Sequence, residues 1–199
     1  MKQTIAYTIE DRRYLSITDR CTLVCKFCPK TKGTMLVHDF DLSFDHRPEA
    51  DEIISAIGKV SDYSWIVFCG YGEPTLRLNT LLEVARYVKQ QGVRVRLNTD
   101  GLANLVHKRN VLPEMAGLID ALSVSLNAQN ETIYNRHCAP ALENSWQAML
   151  DFLELAPASI ADVTATAING LDGVDIEACR VLAEERAVKF RQRELDLVG

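Results

Sequence analysis

Three cysteines lie close together in the stretch Cys21-Thr-Leu-Val-Cys25-Lys-Phe-Cys28. Thiolates bind soft metal centres, and a cuboidal iron-sulfur cluster has four irons that each take one outer ligand. Three thiolates would hold such a cluster and leave one iron open to a small molecule. An open coordination position separates a catalytic metal from a structural one. The spacing therefore predicts a metal site that can bind a further ligand.

Structural zinc binding and simple core packing are the alternative roles of these three thiols. A structural zinc ion normally takes four protein ligands, and the nearest histidines, His38 and His46, are ten or more residues away along the chain. Chance packing of core thiols is disfavoured, because Lys26 interrupts the run and Pro29 ends it. We favour an iron-sulfur site, with zinc as the alternative.

The composition indicates one globular domain. A chain of 199 residues with 47% apolar content has enough material for a sizeable core, so residues 1–199 are predicted as a single domain. The net charge of -5 argues against a surface that coats nucleic acid. The N-terminus lacks the apolar region of a signal peptide, and no apolar run approaches membrane-spanning length. We therefore expect a soluble, cytoplasmic protein without a membrane association, in which clustered cysteines serve metals rather than disulfides.

Strand and helix patterns alternate along the chain. The predicted strands are 13–18, 65–69, 93–98, 121–126, 163–168 and 188–193. The predicted helices are a segment from residue 48 to about residue 60, then 78–91, 113–118, 144–155 and 176–186. Such alternation indicates parallel strands joined by right-handed crossovers. Six units fall short of an eight-unit barrel, so the predicted fold is α/β, an open, partial (β/α)6 TIM-type barrel.

Polar and glycine-rich residues follow four of these strands directly. They are Cys21 after the first, Gly70-Tyr-Gly-Glu-Pro-Thr75 after the second, Asn98-Thr-Asp-Gly101 at the third and Ser123-Val-Ser-Leu-Asn127 at the fourth. Ligand sites of parallel sheets lie beyond the carboxyl ends of the strands. We therefore expect these segments to line one opening at the carboxyl ends of the strands, called here the mouth. Residues 29–47 are predicted as a long surface excursion, and such loops are often lids or binding elements.

Two motifs resemble the radical S-adenosylmethionine (SAM) superfamily: Cys-x3-Cys-x-Phe-Cys after the first strand and Gly-x-Gly-Glu-Pro after the second. Longer stretches that together extend over nearly the whole chain are similar to the small TatD-linked radical SAM proteins. These stretches are Tyr14-Leu-Ser-Ile-Thr18, Val67-Phe-Cys-Gly-Tyr-Gly-Glu-Pro-Thr-Leu-Arg77, Arg96-Leu-Asn-Thr-Asp-Gly-Leu-Ala-Asn104, Ser123-Val-Ser-Leu-Asn127 and Lys189-Phe-Arg-Gln-Arg193. The superfamily usually has glycine at the position of Tyr71. Tyrosine at this position resembles the narrower family.

The resemblance implies a 4Fe-4S cluster held by Cys21, Cys25 and Cys28, with the amino and carboxylate groups of SAM on the fourth iron. It implies reductive cleavage of SAM to methionine and a 5'-deoxyadenosyl radical, which abstracts hydrogen from a substrate. The implied partners are an electron donor such as flavodoxin or ferredoxin and, through a functional link, a TatD-type hydrolase. Two further functions stay open: activation of a protein partner through a glycyl radical, and a non-catalytic zinc or iron-sulfur interaction module.

The residues expected to contact SAM lie at the same strand ends. Glu73 would offer a carboxylate to the SAM ammonium, and Gly70 and Gly72 would let the backbone approach the ligand. The remaining SAM candidates, taken from the resemblance, are Phe27, Asn98, Thr99 and Ser125. The polar ones among them have an alternative role in satisfying the local backbone. Gly170-Leu-Asp-Gly173 is a candidate cover for the adenine face.

Three residues are candidates for the substrate. Arg191 and Arg193 share one face of the last strand, where they either point into the mouth and bind an anion or point outward as solvated edge charges. Cys138, predicted in an exposed loop, is a candidate redox or hydrogen-donor thiol. Cys69 and Cys179 are expected to be buried packing residues.

Overall fold

The protein is described by a computed structural model of residues 3–195. Its strands are β1 (Ala6–Ile9), β2 (Arg12–Leu15), β3 (Leu36–Val37), β4 (Phe40–Asp41), β5 (Trp65–Phe68), β6 (Arg94–Thr99), β7 (Ala121–Ser125), β8 (Asp162–Asn169) and β9 (Lys189–Glu194). Its α-helices are α1 (Ala50–Ile57), α2 (Leu78–Gln90), α3 (Ala103–His107), α4 (Leu112–Met115), α5 (Glu131–Cys138), α6 (Ser145–Leu155) and α7 (Ile176–Glu184). None of these helices has the length and the apolar run needed to cross a bilayer.

Seven strands form one sheet in the order β1-β2-β5-β6-β7-β8-β9. The six strands from β2 to β9 in this order pair in parallel with their neighbours. They confirm the predicted α/β fold and its six parallel strands. The edge strand β1 was not predicted, and it runs antiparallel to β2, with Ala6 opposite Leu15. It has four residues, and a tight turn with Glu10 at a positive φ joins it to β2.

The two faces of the sheet have different surroundings, as the two-residue period of a strand requires. One face packs against the helices and buries apolar side chains such as Leu15, Phe68 and Leu97 in the main core. The opposite face, called here the inner face, carries many polar and charged side chains. By register the polar and charged residues on this face include Tyr14, Arg96, Asn98, Ser123, Ser125, Thr164, Thr166 and Arg191.

The sheet curves so that its first and last parallel strands approach each other. Arg12 on β2 and Arg191 on β9 line the same cavity on the inner face. Five strand spacings separate β2 from β9 in the sheet order, which would place them roughly 24 Å apart in a flat sheet. The inner face is therefore concave, as an open, partial barrel requires.

Helix α5 is the largest difference from the predicted elements. The Asn130 side chain caps its first turn by accepting a hydrogen bond from the Ile133 backbone N–H at 3.0 Å. The buried face of α5 includes His137 and Cys138, which are not strong markers of an apolar helical stripe. The predicted exposed loop at Cys138 is therefore wrong, because this residue ends a helix and its side chain is fully buried.

The excursion at residues 29–47 contains the two-stranded hairpin of β3 and β4. It packs on a second hydrophobic cluster, separate from the main core, that includes Tyr7, Leu42 and Tyr71. The Tyr71 hydroxyl donates a hydrogen bond to the Leu36 carbonyl oxygen at 2.5 Å. Tyr71 therefore connects the loop after β5 to this hairpin.

Candidate functional site

The three clustered cysteines lie on one loop that follows β2 at the carboxyl edge of the sheet. All six cysteines of the chain are free thiols; Cys21 is exposed, while Cys25 and Cys28 are partly exposed. The Thr31 hydroxyl oxygen lies 2.8 Å from the Cys25 carbonyl oxygen and 2.7 Å from that of Cys28, and its single proton is shared between these two acceptors. These hydrogen bonds close the loop into a compact turn that carries the thiols.

The end of α5 fixes the position of the cysteine loop. The backbone N–H groups of Val24 and Lys26 donate to the carbonyl oxygens of Cys138 and His137, at 3.0 and 2.8 Å. Carbonyl groups in the last turn of a helix have no partner within the helix, so the loop supplies two of the missing donors. The helix that the sequence did not reveal is thus part of the framework of the site.

The Cys138 thiol lies beneath the loop, next to Cys25. The neighbouring Cys138 thiol, together with burial, raises the pKa of Cys25. The Asn127 side chain contacts the Cys138 sulfur, with its Nδ2 atom 3.6 Å away. A metal centre that binds Cys25 would have to displace the thiol proton, as metal binding to cysteine generally does.

The loop after β5 packs directly against the chain that leads to Cys21. The Glu73 backbone N–H donates to the Arg20 carbonyl oxygen at 2.7 Å. A Cβ atom added at Gly72 would lie 2.1 Å from the Thr18 carbonyl oxygen and 2.8 Å from that of Arg20. Only glycine permits this approach, so in this structure Gly72 serves the contact between two chain segments.

Glu73 connects the ends of β5 and β6. Its buried carboxylate accepts hydrogen bonds through Oε1 from the Thr75 N–H (3.0 Å), the Thr75 hydroxyl (2.7 Å) and the Thr99 hydroxyl (2.8 Å). Oε2 accepts from the Asp100 backbone N–H at 2.7 Å. Glu73 therefore holds the two loops of the mouth together, and its predicted contact with the SAM ammonium stays a prediction.

Asp100 brings a second buried carboxyl group to the same place. Its side chain accepts hydrogen bonds from the Thr22 hydroxyl at 2.5 Å and the Leu102 N–H at 2.9 Å. Burial raises the pKa of both acids, and the proximity of Asp100 raises the pKa of Glu73 further. Two buried carboxylates disfavour double ionisation, so this pair retains a proton at higher pH than exposed acids do.

We predict that the cost of Glu73→Gln, measured as the loss in free energy of unfolding, becomes smaller as the pH rises. The folded-state pKa of Glu73 is above its ordinary value of 4.5, so the folded protein binds more protons than the unfolded chain above that pH. Proton linkage then lowers the free energy of unfolding of the wild type as the pH rises, whereas a glutamine at this position does not titrate. Urea unfolding of both proteins at about pH 5 and about pH 8 measures the difference.

The matched control for this pH series is Glu83→Gln, which changes an exposed acid on α2. Its effect on stability should be small and should vary little with pH. A cost of Glu73→Gln that stays constant or grows from about pH 5 to about pH 8 would contradict the assignment of a raised pKa.

Two buried polar atoms beside the cysteine loop have no hydrogen-bond partner among the described residues. They are the Tyr134 hydroxyl and Asn127 Oδ1. Tyr134 is close enough to Cys138, Cys25 and Cys21 for electrostatic interaction with their thiols. A buried polar atom without a partner is costly, so these atoms indicate that a polar group from outside the chain belongs at the site.

The donor set is compatible with a multi-iron cluster. Within residues 3–195, no three side chains of His, Cys, Asp or Glu converge closely enough to hold one ion. A cuboidal cluster makes a different demand, because each thiolate binds a separate iron. The three free thiols on one loop offer one thiolate to each of three irons and would leave the fourth iron open.

Comparison with known families bears on the kind of metal centre. The model of the Radical SAM superfamily matches residues 15–185, a span that contains the cysteine loop and the mouth segments after β5, β6 and β7. The chain belongs to the radical SAM superfamily. Membership implies a 4Fe-4S cluster and SAM as cofactors, and the donor set described above is compatible with that cluster.

One curated relative of this radical SAM protein is the probable dual-specificity RNA methyltransferase RlmN of Trichodesmium erythraeum (strain IMS101). The two are 31% identical over 127 residues. The match covers 61% of this chain and 34% of the relative, so the chain spans about one third of the length of the curated relative it matches.

Solved structures share the fold of this radical SAM protein. SuiB of Streptococcus suis bound to the precursor peptide SuiA has a TM-score of 0.69 at 13% identity, covering 92% of this chain and 39% of SuiB. SuiB bound to S-adenosylmethionine has a TM-score of 0.67 at 11% identity, with coverages of 92% and 40%. TYW1 with a lysine-pyruvate adduct bound has a TM-score of 0.65 at 15% identity, covering 92% of this chain and 64% of TYW1. At these identities the likeness establishes the fold.

The predicted SAM residues of this radical SAM protein fall on both faces of the sheet. Asn98 and Ser125 lie on the inner face, whereas Thr99 points to the opposite side and binds Glu73. Phe27 is partly buried and packs against the main core. Gly70 has a φ of +148°, and a Cβ atom there would lie 2.7 Å from the Ser16 hydroxyl oxygen.

The remaining candidate residues are also placed by the structure. The expected burial of Cys179 is confirmed. Cys69 is partly exposed rather than buried, because it lies on the inner face, where its sulfur accepts a hydrogen bond from Asn98 Nδ2 at 3.3 Å. Arg191 lines the inner cavity, and Arg193 shares its side of β9. The sequence pattern did not single out Arg12 or Arg96, which line the same cavity.

Proposed function

We propose that this protein is a radical SAM enzyme in which Cys21, Cys25 and Cys28 hold a 4Fe-4S cluster. The observation that carries the proposal is the position of three free thiols on one loop at the carboxyl edge of the sheet, within the span that matches the superfamily. When bound, the cluster and SAM supply the one-electron cleavage that yields methionine and a 5'-deoxyadenosyl radical, which abstracts hydrogen from a substrate.

The chain's own residues position this chemistry. The end of α5 fixes the cysteine loop, and Gly72 and Glu73 hold the neighbouring mouth loop against it. Such hydrogen-bonded support keeps a reactive site in one geometry.

Residues around the mouth supply the proposed contacts with SAM. Asn98 and Ser125 are the polar candidates that lie on the inner face. On the opposite face, the Thr99 hydroxyl donates a hydrogen bond of 2.8 Å to the Glu73 carboxylate. This bond holds together the ends of the strands that border the mouth. Gly70, Gly72 and Phe27 complete the proposed set at the two loops that border the mouth.

An electron donor such as flavodoxin or ferredoxin is part of the proposal. Arg20, Lys26 and Lys32 are exposed around the cysteine loop, and their positive charge would attract an acidic surface on such a donor. We also propose a functional link to a TatD-type hydrolase. This part of the proposal rests on the resemblance of the longer sequence stretches.

Anaerobic reconstitution with iron and sulfide tests the proposed function. We expect a brown protein with an iron-sulfur absorbance, an electron paramagnetic resonance signal that changes when SAM is added, and 5'-deoxyadenosine after reduction. A colourless protein that binds zinc, or a cluster whose signal ignores SAM, would support the interaction module instead.

A further inference from the structure

A cavity of about 270 Å³ opens on the inner face of the sheet. Three arginines from three different strands line it: Arg12 of β2, Arg96 of β6 and Arg191 of β9. Asp162 and Trp65 are also among its lining residues. Guanidinium groups from strands that are far apart in the sheet therefore meet at one place, which requires the curvature of the partial barrel.

The positive charge of this cavity is only partly balanced by the chain. The Asp162 carboxylate lies 3.0 Å from the Lys189 ammonium, so a cation outside the arginine set already neutralises it. The Nε atom of Arg12 is buried and has no hydrogen-bond partner among the described residues. It forms a long ion pair with Asp11, at 3.7 Å from the Oδ1 atom. Arg96 Nε donates to the neutral Asn98 side chain at 3.0 Å.

The positive charges of the arginines also repel one another. Partial burial lowers the pKa of Arg191, and the nearby charges of Arg96, Arg193 and Arg12 lower it further. Like charges that are held close together repel one another, and a bound anion would relieve that repulsion.

Side-chain hydrogen bonds link the lining of the cavity to the mouth of the barrel. Arg96 precedes Asn98 by two residues on the same face of β6, and the Asn98 side chain bonds both Arg96 and Cys69. The cavity thus lies one side-chain layer closer to the amino ends of the strands than the polar mouth residues. A molecule with its anionic group in the cavity would extend toward the carboxyl edge, where the cysteine loop lies.

We propose that Arg12, Arg96 and Arg191 form a binding site for a phosphate group carried by a small-molecule substrate. Planar guanidinium forks match the oxygens of phosphate, and three of them suit a doubly charged group better than a single carboxylate. A volume of about 270 Å³ is sufficient for a phosphate with a few attached atoms. This inference rests on the proposed function, because it names the substrate class of the same barrel.

Isothermal titration of the purified full chain with pyrophosphate tests the site without cluster formation or SAM cleavage. We expect Arg191→Gln to weaken binding about tenfold, because one charge-assisted pair is lost. Arg191→Lys, which keeps the charge without the fork, should weaken it less. The matched control is Arg86→Gln, which removes an exposed arginine on α2 and should leave binding unchanged.

Two further measurements make the test decisive. Thermal unfolding of each variant establishes that it is folded, and Arg96→Gln provides a second removal of a cavity charge with the same expected loss of binding. Titration with malonate compares a dicarboxylate with pyrophosphate. The proposal is overturned if pyrophosphate does not bind the wild type, if Arg86→Gln weakens binding as much as Arg191→Gln, or if malonate binds more tightly. None of these outcomes depends on whether the reconstituted protein cleaves SAM.

Discussion

Replacement of Cys25 by alanine is expected to abolish cluster assembly and to reduce SAM cleavage at least about 100-fold, while the protein remains folded. The cluster would lose one of three protein ligands, and each ligand binds a different iron. The loop itself should persist, because the bonds that attach it to α5 join backbone atoms of Val24 and Lys26 to those of Cys138 and His137. Iron and sulfide content, visible absorbance and 5'-deoxyadenosine formation measure the loss.

Cys179→Ala is the matched control for this change. Cys179 is a buried thiol on α7, and it lies outside the cysteine loop and the mouth segments. Its replacement removes a thiol of the same kind but should leave the cluster and SAM cleavage intact. Full cluster content in Cys25→Ala would contradict the assigned ligand, and loss of folding in Cys25→Ala alone would favour a structural metal site.

Replacement of Gly72 by alanine is expected to lower the free energy of unfolding by about 3 kcal/mol. The new methyl group would lie 2.1 Å from the Thr18 carbonyl oxygen and 2.8 Å from the Arg20 carbonyl oxygen. Backbone atoms cannot turn away as a flexible side chain does, so either the loop after β5 or the chain before Cys21 must move. Cluster content should fall together with stability, because Arg20 directly precedes the first cysteine. Urea unfolding and iron content measure the two effects.

Gly92→Ala separates this steric effect from the general cost of replacing glycine. Gly92 has a φ of +77°, and nothing lies within 4 Å of a Cβ atom built there. Alanine should cost about 1 kcal/mol at this position through backbone strain alone, without an effect on the cluster. If Gly72→Ala costs no more than Gly92→Ala, the close contact between the two loops is not a determinant of the site.

Local patterns in the sequence determined the parallel core of the fold and the position of the three clustered cysteines. The apolar run at Trp65–Phe68 and the alternation at Arg94–Thr99 are strong signals because a strand's period and burial are properties of neighbouring residues. The predicted ends of the six parallel strands agree with the structure to within a few residues. The thiol spacing likewise needs no distant information, since all three cysteines belong to one loop.

Only the tertiary structure decided which residues from distant parts of the chain meet. Cys138 contacts the cysteine loop because the end of α5 folds back onto it, a contact that no local pattern encodes. Arg12 and Arg191 share a cavity because the sheet curves, although they lie at opposite ends of the chain. Glu73 and Asp100 acquire raised pKa values because two strand ends bury them side by side. Burial, curvature and long-range contact are properties of the assembled sheet, so the residue types and spacing alone did not reveal them.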